Sequence, residues 1–184
     1  MNQRAIVSRV LALTALVLAA PMALGAVLVR KDLPTMVEEA DVICLGTVVT
    51  LESRWDEAHG LIYSLATVEV GQMLKGDEVS NKLVVRYLGG TVGDVGMSVP
   101  GAPTFQAGED VLLFLAAEED GSYSVVGLSQ GKYTIERDEV SGITYAKPEL
   151  QALTFIGGEE DARAEPMPLQ ELLMWIEELL ASTD

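Results

Sequence analysis

Between Val42 and Ile135 the chain repeats one device: short runs of β-branched and aromatic residues, each cut off by a cluster of Gly, Asp, Glu or Ser. This punctuation constrains the fold more than any other feature, because β-branched side chains suit a pleated surface and the clusters suit turns. The first run, Val42–Leu51, contains no Pro and reads as a strand. Asp56-Glu57-Ala58-His59-Gly60 turns the chain. Ile62, Ser64, Ala66, Val68 and Val70 then alternate with Tyr63, Leu65, Thr67 and Glu69 as the return strand of a hairpin, which ends at Lys75-Gly76-Asp77. A third strand is expected from Lys82 to Leu88, stopped by Gly89-Gly90. Val111–Leu115 is apolar on both faces, the pattern of a central strand covered on two sides. Glu118-Glu119-Asp120-Gly121 leads into Tyr123–Val126, and Gly127 and Gly131 interrupt the chain before Tyr133-Thr134-Ile135, in the manner of a bulged or bent last strand. Five strands separated by turns predict a mainly β fold, a small five-stranded barrel that is closed or nearly closed.

Helical periodicity flanks this region. Leu33, Met36, Val37 and Ala40 fall at i, i+3, i+4 and i+7, Thr35 with Glu38 fits a capping box, and Pro34 fits a helix start. From Arg137 the chain reads as irregular and acidic through Glu159-Glu160-Asp161. It closes on an amphipathic helix, Pro168 to Ala181, whose stripe of Leu169, Leu172, Leu173, Ile176, Leu179 and Leu180 is expected to dock on the barrel, with Trp175 at its edge.

The first residues address the chain to a compartment. Arg4 and Arg9 precede an apolar run from Val10 to Ala20, and Ala23-Leu24-Gly25 offers small residues for a peptidase, so residues 1–25 read as a signal peptide. The rival reading is a retained anchor, since Val10 to Val29 carry no charge, although Pro21 and Gly25 interrupt that stretch. Cleavage divides the chain into a signal peptide at 1–25, a barrel domain at 26–136, and an acidic segment with its helix at 137–184. The expected location is periplasmic or extracellular, with no stable membrane insertion after cleavage.

Charge and residue counts exclude whole classes of function. The net charge is −16, and loss of Arg4 and Arg9 takes it to about −18, a field that repels phosphate backbones and excludes nucleic acid as a partner. With one Cys, Cys44, in an exported chain, no intramolecular disulfide forms and the fold rests on its core, where Cys44 acts as a small hydrophobe. His59 and Cys44 are together too few for a zinc site, and His59 as the only histidine leaves a catalytic triad one hairpin turn to use. The carboxylates at Asp56-Glu57, Glu109-Asp110, Glu118 to Asp120 and Asp138-Glu139 read as solvated turns, and none has calcium-loop spacing. No metal, cofactor or enzymatic activity is expected. An enzyme working through carboxylates would need two of them facing each other in a pocket.

The stretch from Gly89 to Gly108 stands apart, because Gly93, Gly96, Pro100, Gly101 and Pro103 forbid a long regular element while Met97, Val99 and Phe105 supply apolar contact groups. Loops of this length inside a compact domain are uncommon and are usually functional or disordered.

Four motifs stand out over Glu39 to Ile135: Ala40-Asp41-Val42-Ile43 opening the first strand, Leu74-Lys75-Gly76 closing the second, Gly108 to Leu115 as the fourth, and Asp120-Gly121-Ser122-Tyr123 entering the fifth. In these motifs and in strand order the chain resembles the netrin-like domains of the tissue inhibitors of metalloproteinases, which are five-stranded OB-like barrels. The chain is similar to the secreted, cysteine-poor bacterial branch of that superfamily. The resemblance implies an OB fold and a non-enzymatic protein-binding role, with a secreted protease among the partners it suggests. It also implies a contact surface on the first hairpin loop, Trp55 to Gly60, and on Gly89 to Phe105. The residues expected to bind are therefore Trp55, His59, Met97, Val99 and Phe105. The inhibitors' mature N-terminal Cys and their disulfides have no counterpart here, so zinc chelation by the chain start does not carry over. A purely structural envelope role is the remaining alternative.

Overall fold

In the computed structural model the described residues are 27–76, 81–150, 154–156 and 165–182; the expected signal peptide and the run Glu159-Glu160-Asp161 lie outside them. Strand β1 (Val27–Val29) is followed by helix α1 (Leu33–Glu39). The cap of α1 is Asp32, whose carboxylate accepts from the Thr35 N–H at 2.9 Å, so the Thr35/Glu38 capping box expected from the sequence is not the one used. Pro34 sits in the first turn, where its missing N–H costs no helical bond. Leu33, Met36 and Val37 form the buried face.

The hairpin is longer than its apolar core suggested. Strands β2 (Val42–Asp56) and β3 (Leu61–Lys75) pair antiparallel, with register shifts before Cys44, Gly46 and Thr50 that bend the ladder. Strand β4 (Lys82–Leu88) pairs antiparallel with β3. A short hairpin follows, β5 (Gly90–Val92) with β6 (Val95–Met97). Strand β7 (Asp110–Ala117) runs antiparallel to the start of β2, and β8 (Tyr123–Val125) antiparallel to the end of β7. One parallel pair, Val85↔Tyr123, joins β8 to β4 and closes the ring β2–β3–β4–β8–β7. The ring has the five strands expected from the sequence, and a single residue pair seals its last seam.

Val111–Leu115 is two-faced because it separates two cores. Val111, Leu113 and Leu115 point into the ring with Cys44, Val48, Ala66, Val68, Leu83 and Val85. Leu112 and Phe114 point outward and pack with Ile43, Tyr133, Ala146 and the helices. Alternation along a strand requires this division, and each such side chain contributes roughly 1.5–3 kcal/mol before the entropy of ordering it.

The bend expected between Tyr123 and Ile135 is a 3₁₀ turn at Leu128–Gly131. Strand β9 (Lys132–Arg137) then returns to the same edge of β7 that β8 uses, and the register slips between Leu115↔Val125 and Leu113↔Lys132. Gly131 is required there, since a Cβ would fall 2.6 Å from the Val126 carbonyl oxygen. Beyond Arg137 the structure is more regular than the sequence implied. Asp138–Gly142 forms a turn and β10 (Thr144–Pro148) pairs antiparallel with β9. Strand β11 (Thr154–Ile156) pairs parallel with β1, and β12 (Met167–Pro168) with β10. Helix α2 (Leu169–Ala181) buries Leu172 and Ile176 against α1 and the outer face of the sheet, while the other stripe residues are half-buried. Docking onto its own domain is thus its observed role. Among the described residues no helix is long and apolar enough to cross a membrane.

Candidate functional site

The loop after β4 is held down in three places. At its start, the Ser64 hydroxyl donates to the Gly89 carbonyl at 2.6 Å and lies 2.8 Å from the Ser53 hydroxyl, while the Thr91 N–H reaches Ser53 Oγ at 3.4 Å. Gly90, at φ 127°, lets the backbone settle on those two serines where a Cβ would collide with both. In its middle, the Ser129 N–H donates to the Gly101 carbonyl at 3.0 Å, tying the loop to the 3₁₀ turn. At its end, Phe105 enters the ring, 7 % exposed, with its ring centroid 5.1 Å from that of Tyr87.

What holds this end is an ion cluster not foreseen from the sequence. Lys132, its side chain 2 % exposed, donates to Glu109 Oε1 at 2.7 Å and to Thr134 Oγ1 at 3.3 Å, and lies 3.3 Å from Glu149 Oε2. Its ammonium also sits 5.1 Å from the centre of the Phe105 ring, within range of a cation–π attraction. Glu149 accepts from the Thr104 N–H at 3.2 Å and from the Thr104 hydroxyl, and Glu109 accepts from the Gln106 N–H at 3.0 Å. Two carboxylates and one buried cation thus clamp both sides of Phe105. Glu109, expected in a solvated turn, is nearly buried because the loop folds back over it. The available signal was Lys132 itself, a cation beside Gly131 at the start of the last expected strand, which must find carboxylates if the strand is buried.

Two adjoining clefts open where this loop lies beside β4. One of about 290 Å³ is lined by Arg86, Tyr87, Leu88, Val99, Pro103 and Leu128, with Glu118 at its margin. The second, of about 180 Å³, is lined by Tyr87, Leu88, Met97, Val99 and Phe105. Burial pushes the Tyr87 phenol above its ordinary value; a Ser64 hydrogen bond opposes this and the negative charges of Glu149 and Glu109 reinforce it.

Three of the five residues singled out from the sequence therefore meet here: Met97 and Val99 on the loop, and Phe105 at its base. Phe105, although only 7 % exposed, lines the second cleft from its base. Trp55 and His59 line neither cleft. Trp55, 44 % exposed, lies opposite Ile62 on the far arm of the β2–β3 hairpin. His59 closes the hairpin turn, with Nδ1 2.9 Å from Asp56 Oδ2, and that hydrogen bond is the main cause holding the Asp56 carboxyl below its ordinary value.

Glu109 and Glu149 are both paired with Lys132, and neither lines either of these two clefts; their arrangement fastens the loop. Among the described residues no group of three or more His, Cys, Asp or Glu is placed to hold a metal ion. Cys44 lies inside the ring, and burial pushes its thiol up to about 12, leaving it protonated and unreactive near neutrality. No family model and no curated protein matches the chain.

Proposed function

We propose that the chain is an exported, non-enzymatic binding module that holds a segment of a protein partner in the clefts between β4 and the loop of residues 98–105. The observation that supports this most is the meeting of Met97, Val99, Tyr87 and Leu88 at an open strand end, on a loop fastened at both sides. Contact groups on a loop fixed by a rigid scaffold lose little entropy on binding, which favours recognition. The family reading rests on the netrin-like resemblance of the sequence over Glu39 to Ile135, and with it comes a secreted protease as one class of partner. Export follows from the leader at residues 1–25, and the mature chain should begin at Ala26, a point that mass measurement of the exported protein decides.

Capture from the source's own secreted fraction tests the binding reading. Val99→Asp places a charge in both clefts, whereas Val140→Asp changes a side chain that is 97 % exposed on a distant turn. Proteins retained by the unaltered chain and by V140D, but lost with V99D at unchanged melting temperature, support the site. Retention of the same proteins by all three chains sinks it.

A further inference from the structure

Trp55 is left without a role by the clefts, and the strand that carries it has an open edge. Pairing of β2 with β7 ends at Thr47↔Asp110, where Val48 exchanges its last bonds with Gly108 and Glu109. From Val49 to Asp56 no described strand lies on that side. The direction of the backbone groups along this edge follows from one bond. The Gly89 N–H donates to the Ile62 carbonyl at 2.8 Å, so Ile62 faces β4. In an antiparallel ladder the facing alternates residue by residue. Leu61, Tyr63 and Leu65 therefore face β2, and their partners Asp56, Arg54 and Glu52 face β3 in return. Leu51, Ser53 and Trp55 are left with N–H and C=O groups pointing outward.

We propose that this edge pairs with the same edge of a second copy of the chain, antiparallel and centred on Ser53. The segment Leu51-Glu52-Ser53-Arg54-Trp55 is complementary to its own reverse. In that register Ser53 meets Ser53, Leu51 meets Trp55, and Glu52 meets Arg54. The outward backbone groups at 51, 53 and 55 fall into reciprocally bonded pairs, the arrangement an antiparallel ladder needs. Leu51 and Trp55, 39 % and 44 % exposed, share one face of the new sheet and cover each other. Glu52 and Arg54 share the other face as non-bonded pairs, where opposite side chains approach most closely. Within one chain these two already form an exposed ion pair at 2.9 Å, so the dimer has each carboxylate between two guanidinium groups. A two-fold axis through Ser53 makes the contact isologous and closed, which removes an edge that would otherwise template open-ended pairing. Any register shifted by one residue would pair outward-facing groups with inward-facing ones and lose both complementarities.

The test is sedimentation of the exported chain over a concentration series, with hydrogen exchange read at single amides. The unaltered chain should show a concentration-dependent dimer, in which the amides of Leu51, Ser53 and Trp55 exchange more slowly as dimer forms. Those of Glu52 and Arg54, bonded within the hairpin, should be protected at every concentration. Arg54→Glu should shift the chain to monomer by placing carboxylates opposite each other, and the double change E52R/R54E should restore the dimer by exchanging the two signs. Both positions are exposed, so neither variant threatens the fold. A monomer at all concentrations overturns the proposal. So does a dimer that R54E leaves intact, or one whose formation does not slow exchange at Leu51, Ser53 and Trp55.

Discussion

Replacing Lys132 with Met should be among the most damaging single changes in the chain, although Met has nearly the same shape and suits an apolar site. The ammonium is almost wholly enclosed, and its removal leaves Glu109 and Glu149, 12 % and 22 % exposed, facing each other without the cation between them. Breaking a buried ion pair from one side costs about 3–5 kcal/mol, because the remaining charge has lost its water and gained no partner. Thr134 Oγ1 still donates to Glu109 at 2.6 Å, which offsets a part of that loss and places the expectation near the lower end. Urea denaturation of the exported chain, followed by tryptophan fluorescence, gives the number directly. Hydrogen exchange at Thr104 should quicken in the same variant, since its N–H is held by Glu149. The control is K132M/E109Q/E149Q, in which no charge remains to be stranded and much of the loss should be recovered. A K132M penalty below about 1 kcal/mol, the range of exposed ion pairs, would refute the claim that the cluster fastens the loop.

Two further expectations concern the ring interior. Leu113, fully buried among the ring residues, should cost about 2–5 kcal/mol when changed to Ala, measured by the same denaturation. A loss within the scatter of surface changes would mean that β7 is not central. Cys44 should resist a thiol reagent at pH 8 until the chain is unfolded, and stability should fall as pH rises from about 9 towards 12. In the unfolded chain the thiol ionises near its ordinary value of 9.0 while the folded thiol stays protonated up to about 12, so alkali favours the unfolded state over that window. Rapid labelling of the native protein would contradict the placement of Cys44 inside the ring.

What the sequence revealed and what it concealed divide along physical lines. The strands around Cys44, Val68, Val85 and Leu113 were legible because each alternates or is continuously apolar, and because Gly and acidic clusters end them sharply. The two-faced run at β7 announced a strand with cores on both sides. The arm of β2 beyond Leu51 was harder to read, since Glu52, Ser53 and Arg54 break the apolar alternation where one face meets solvent. Strand β10 escaped notice because Gly142, Lys147 and Pro148 crowd a short segment whose one buried side chain is Ala146. The clustering of Met97 and Val99 followed from their shared loop. The separation of Trp55 from them did not, because it depends on how far the hairpin extends past the ring. Nor could the Lys132 cluster be assembled from the sequence, as Glu109 and Glu149 lie 23 residues before it and 17 after it. Each carboxylate alone looks like a turn residue, and only the fold brings both to the one buried cation.

If the chain binds a partner as proposed, contact takes place at the clefts beside β4. Photo-cross-linking decides it most directly: a photoreactive residue placed at Val99 in one sample and at Val140 in another, each exposed to the source's secreted fraction and illuminated. A discrete adduct is expected from position 99 and none from position 140, with the adduct suppressed by excess unlabelled chain but not by excess V99D. Adducts of equal yield from both positions, or an adduct from position 140 alone, would contradict it.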